Sequence, residues 1–242
     1  MRFHALTVAA AVFLTSAPLA ATAKDGAAPE PALFCETQSS KECQAAVTPQ
    51  QVFERFRLGN QRFADGHGTH RNYAQQVRET AKGQFPLASI VSCIDSRAPA
   101  EILFDQGIGD LFNARVAGNI VNEDILGSLE FASKVAGSKL IIVLGHTSCG
   151  AVKGACDNVQ MGNLTGLLAK IMPAVAAVPN DGKDRSSKNY AFVEMVAEQN
   201  VRQNVQMIRD RSPILKEMED KGEIKIVGAM YDVATGKVSW YD

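Results

Sequence analysis

Neither sign of charge dominates this chain: 25 Lys and Arg stand against 26 Asp and Glu, a formal net charge of −1 over 242 residues. So balanced a surface has no field to gather nucleic acid or to hold an anionic membrane. Long apolar runs are scarce as well. Past the first two dozen residues none approaches the roughly 20 residues that a spanning helix needs, and no segment repeats at a fixed period, which sets aside solenoids and propellers. Five cysteines and four histidines are too few for a disulfide-stapled scaffold, yet enough for one metal site. What is present is an ordinary globular composition, 46% hydrophobic and 21% charged, with length for one sizeable core.

The first 23 residues read as an export signal that is cleaved. Arg2 makes a short positive start, Ala5 to Ala20 is mostly apolar but broken by Thr7, Thr15, Ser16 and Pro18, and Ala21-Thr22-Ala23 is an A-x-A cleavage site. The expected destination is the periplasm or the outside of the cell, with no membrane attachment afterwards. Export permits disulfides. Residues 24–47 are therefore expected as a leader in which Cys35 and Cys43, with a polar stretch between them, are open to a bridge. Residues 48–242 are expected as a single domain.

Thr48, Pro49 and Gln51 have the form of a capped helix start, with Val52, Phe53, Phe56 and Phe63 as its apolar stripe. From Leu87 the pattern alternates strand with helix. Strands are expected at 87–93, 111–114, 139–145, 224–231 and 238–241, the last two joined by a hairpin at Thr235-Gly236. Helices are expected at 122–135, 149–158, 163–177 and 190–220. That order implies an α/β fold: a mostly parallel central β-sheet flanked by helices, with an N-terminal helical arm.

The chemistry gathers where two of those strands end. Cys93, Asp95 and Arg97 alternate after the first strand and so point to one side while the chain stays extended. His146 and Cys149 follow the strand at 139–145. If these strands are parallel neighbours, both groups emerge at one carboxyl edge of the sheet, where open α/β folds place their sites. Two thiolates and an imidazole are zinc donors, and a fourth position is left to water or to Asp95. Arg97 can hold Asp95 side by side and keep it off the metal. Cys156 reads as helix packing, and His67 and His70, in a Gly-rich turn, as surface residues.

Cys93-Ile94-Asp95-Ser96-Arg97 is similar to a C-x-D-S-R motif, and His146-Thr147-Ser148-Cys149-Gly150 to H-x-x-C-G. Between them, Gly109 to Asn119 matches G-D-x-F-x-x-R-x-A-x-N. In this order the motifs resemble those of the β-class carbonic anhydrases, over about residues 50–242. The resemblance implies reversible hydration of carbon dioxide by a zinc-bound hydroxide, one Zn2+ per subunit. It implies Cys93, His146 and Cys149 as metal ligands, with Asp95 as an alternative fourth ligand and, with Arg97, the catalytic dyad. Gln84, in Lys82-Gly83-Gln84-Phe85-Pro86, would donate a hydrogen bond to substrate across a dimer interface, and Phe112 and Phe131 would line an apolar pocket. A homodimer or higher homo-oligomer is expected. Two alternatives stay open: hydrolysis of carbonyl sulfide or carbon disulfide, and a non-catalytic, zinc-stabilised anion-binding module.

Overall fold

The computed structural model describes residues 39–241. The expected export signal, and Cys35 with its expected bridge to Cys43, lie outside the described residues. In chain order the elements are α1 (Lys41–Ala46), α2 (Pro49–Ala64), α3 (Tyr73–Thr80), β1 (Ala88–Ser92), α4 (Ala100–Leu103), β2 (Leu111–Arg115), α5 (Glu123–Glu130), β3 (Leu140–His146), α6 (Gly150–Cys156), α7 (Gly162–Leu168), α8 (Met172–Ala177), α9 (Tyr190–Arg211), α10 (Pro213–Asp220), β4 (Lys225–Tyr231) and β5 (Val238–Tyr241). The strands form one sheet in the order β2-β1-β3-β4-β5. All pairs are parallel except β4 with β5.

β1 and β3 are buried along their whole length, as strands in the middle of a parallel sheet must be, β1 including Ser89 and Ser92. Alternation along β3 then feeds two cores. Ile141 and Val143 face α9, while Leu140, Ile142 and Leu144 face α2. α9 lies close on the sheet because Gly145 and Gly228 have no side chain beneath it: a Cβ at either would stand 2.6 or 2.8 Å from Val201 methyl carbons.

α2 begins with the expected capping box, Thr48 Oγ1 accepting from Gln51 N–H and Gln51 Oε1 from Thr48 N–H. Its apolar face packs on the sheet of its own chain. Val52 and Phe56 are buried on the chain's own sheet, and Phe53 meets Trp240 edge-on at 5.0 Å.

Three expected helices are shorter than their apolar periodicity. The stretch 190–220 breaks at Ser212, which is extended (φ −120, ψ 93) because Pro213 follows it, and the Ser212 side chain then caps α10. The stretch 163–177 divides into α7 and α8, with Pro173 in the first turn of the second. After α5 the chain widens into a π-helical turn, Phe131–Val135, closed by Gly137 at φ 80.

Candidate metal centre

Because β1 and β3 are parallel neighbours in register, with Ser92 opposite Leu144, Cys93 and His146 leave the sheet at the same carboxyl edge. Cys149 caps the start of α6 three residues later. The structure brings these three together: their donor atoms all lie within 4.8 Å of one another, and the residues are 5%, 1% and 1% exposed. The imidazole is oriented by Nδ1, which is 2.9 Å from Thr147 O, and its Nε2 is buried without a hydrogen-bond partner. A buried polar atom is rarely left so, and a metal ion would satisfy it. The thiols divide their charge. Cys149 beside it holds the Cys93 thiol far down, and the Cys93 thiolate together with burial pushes Cys149 far up. Two sulfurs and one imidazole nitrogen form a donor set compatible with zinc.

Asp95 is not in that cluster. Arg97 takes it in a two-pronged pair, Nε donating to Oδ1 at 2.9 Å and Nη2 to Oδ2 at 2.7 Å, while Arg97 N–H also donates to Oδ1 at 2.9 Å. These bonds hold the Asp95 carboxyl far below the usual carboxylate range. Its Oδ2 is nevertheless only 3.8 Å from His146 Nε2. The carboxylate stands beside the three donors, held back from them by its arginine.

Other residues fix this edge, and sequence reasoning assigned none of them a role. Arg115, at the end of β2, donates to the carbonyls of both Cys93 and Asp95. Gly118, at φ 73, points its N–H at Cys93 Sγ, 3.4 Å away. Ser148, between the two later donors, adopts φ 56, and its N–H is received by Glu194 Oε1 at 2.9 Å. Arg115 and Gly118 lie within the quoted motif, but Glu194 sits in α9 with no local signal.

The expected substrate residues are elsewhere. Phe112 and Phe131 pack edge to face, ring centroids 6.3 Å apart, and line a cavity of about 770 Å³ with Ile90 and Leu129. None of the three metal donors lines that cavity. Gln84 is exposed in the loop before β1, at the opposite end of the strand from Cys93. Cys156 is half-buried against the core, as expected, and His67 and His70 are exposed.

Comparison with known proteins agrees with this geometry. The carbonic anhydrase family profile matches residues 88–238. Carbonic anhydrase 2 of Mycobacterium tuberculosis is 35% identical over 197 residues, covering 79% of this chain and 92% of that protein. The solved β-carbonic anhydrase CcaA shares the fold with a TM-score of 0.63 at 23% identity, over 78% of this chain and 87% of that one. A structure from work on two tetrameric β-carbonic anhydrases of Sordaria macrospora gives 0.60 at 22% identity, over 69% and 88%. By sequence and by fold, the chain belongs to the carbonic anhydrases, in their β class.

Proposed function

We propose that the chain catalyses the reversible hydration of carbon dioxide to bicarbonate and a proton, with one zinc ion per subunit held by Cys93, His146 and Cys149. The observation that carries this reading is the Asp95–Arg97 pair, which keeps a carboxylate next to three metal donors without letting it complete their shell. A structural site closes with four protein ligands, whereas a catalytic one keeps a position for reactant. Zinc, when bound there, supplies the Lewis acidity that makes water nucleophilic near neutral pH.

The chain's own residues supply position. Asp95, ionised and fixed by Arg97, offers Oδ2 on the His146 side as acceptor for a proton of the attacking water, which aims the oxygen's lone pair at carbon. Two thiolates cancel the charge of the dication, so activity should favour mildly alkaline pH. Gln84 donates to the oxygens of bicarbonate from a second subunit, since the whole of β1 lies between it and its own Cys93 edge. A homo-oligomer is the working form, and Phe112 and Phe131, which stand apart from the chain's own donors, contribute the apolar wall for carbon dioxide only at the centre of a second subunit. The chain is exported, with Lys24 as its first mature residue.

Carbon dioxide hydration by the purified mature protein, followed from neutral to mildly alkaline pH with a metal-stripped control, tests the reading. Activity that rises with pH, vanishes on stripping and returns with zinc is the expected result. A zinc-loaded protein inert to carbon dioxide but releasing sulfide from carbonyl sulfide would replace the substrate. One inert to both would be a binding module.

A further inference from the structure

α9 buries a face of Val193, Val196, Ala197, Val201, Val205 and Ile208, and in the middle of it stand two asparagines, Asn200 and Asn204, 1% and 3% exposed. An amide placed among valines costs stability unless every polar atom finds a partner. Here the partners form a line. Asn204 Oδ1 accepts from Val121 N–H at 2.7 Å, and its Nδ2 donates to Asn200 O at 2.8 Å and Asn200 Oδ1 at 3.1 Å. Asn200 Nδ2 in turn donates to Gly118 O at 2.8 Å. Gly118 is the residue whose N–H meets Cys93 Sγ. It is held in the left-handed region at φ 73, and a Cβ there would stand 2.5 Å from Ile171 Cδ1, so glycine is required.

We infer that Asn200 is a positioning residue of the metal centre: oriented by Asn204, it holds the Gly118 carbonyl, and through the two backbone dihedrals of Gly118 that hold sets the direction of the N–H aimed at Cys93 Sγ. The peptide that follows Gly118 is held at both ends, its carbonyl by Asn200 and its Asn119 N–H by Val116 O at 2.9 Å, and only φ and ψ of Gly118 part it from the peptide whose N–H meets the sulfur. Asn200 touches no ligand atom and acts only through that peptide. Hydrogen bonds to ligating atoms orient them and tune their hold on a metal, and their loss commonly costs ten- to a hundred-fold in affinity. The inference rests on zinc being held by Cys93, His146 and Cys149.

The test compares the wild-type protein with Asn200→Leu, which keeps volume but removes the donor. Both are stripped of metal, titrated with zinc against a chromophoric chelator, and separately loaded with cobalt to record the thiolate-to-metal charge-transfer band. The expected result is a folded variant that binds zinc about tenfold or more weakly and shows an altered cobalt band. Wild-type affinity with an unchanged band in a folded Asn200→Leu protein overturns the inference. Should that variant fail to fold, Asn200→Ser, polar but too short to reach Gly118 O, is read in the same way. If neither folds, with or without zinc, Asn200 is a residue of the fold and the inference falls. A wild-type protein that takes up no zinc overturns the underlying metal reading instead, so the two failures are distinct.

Discussion

Asp95 has two neighbours, the arginine two residues on and the histidine of the next strand, and its hydrogen bonds come from Arg97. Replacing Asp95 with Asn preserves shape while removing the charge that aligns it and its acceptor-only character. Turnover should fall about a hundredfold with zinc content unchanged, read by stopped-flow hydration beside metal analysis; normal turnover would remove Asp95 from the mechanism. A second carboxylate, Asp105, is buried among Arg62, Arg71 and Thr69. Burial raises its pKa, but those donors outweigh burial and leave it lowered. Its folded pKa thus lies below the unfolded value of about 3.9, so its stabilisation is present above that pH and disappears as pH falls through the folded value. Denaturant midpoints of wild type and Asp105→Asn should differ at neutral pH and converge in acid; a gap independent of pH would contradict this. The donors were legible because alternation after a strand and an H-x-x-C spacing are local patterns. Glu194 and Asn200 were not, since their partners lie 46 and 82 residues away and a polar helical residue looks the same whatever it touches.

Among the elements, the strands were the most readable part of the chain, β3 above all, because a continuous apolar run has few other uses in a globular chain. Helix ends were less so. Apolar spacing continues through Leu215 and Met218, so periodicity alone joins α9 to α10, whereas the missing N–H of Pro213 parts them. α3 went unread because it buries only Gln76 and has no apolar stripe. The seat of α9 on the sheet also escaped notice, as it depends on two glycines from different strands. Gly145→Ala, which forces a methyl against Val201 and the Met230 sulfur, should destabilise the fold by about 1–3 kcal/mol, measured by urea unfolding. An unchanged midpoint would mean that α9 rides outward without cost.

For the molecule as a whole, the proposed role of Gln84 makes a strong demand, since a residue before the amino end of β1 would serve a site at the carboxyl end only through another copy. Gln84→Ala and Asp95→Asn subunits should each be impaired when alone. Mixed and allowed to exchange, they should recover activity, because a hybrid dimer contains one site free of both defects. No recovery in verified hybrids would place Gln84 outside the reaction. Fold class and donors could be read from one chain because both depend on patterns within it. The separation of the Phe112–Phe131 cavity from the donors could not, as it depends on how loops close in space.

The pairing of β1 with β3 has one more consequence. Cys93 and His146 are neighbours only after those strands meet, so a chain still unfolded has the local His146 and Cys149 pair but not the three-donor site. Metal uptake belongs to the folded protein and draws on the compartment where folding finishes, wherever synthesis took place. On the proposed zinc reading, the working fraction of the protein follows the free zinc of that compartment, by mass action.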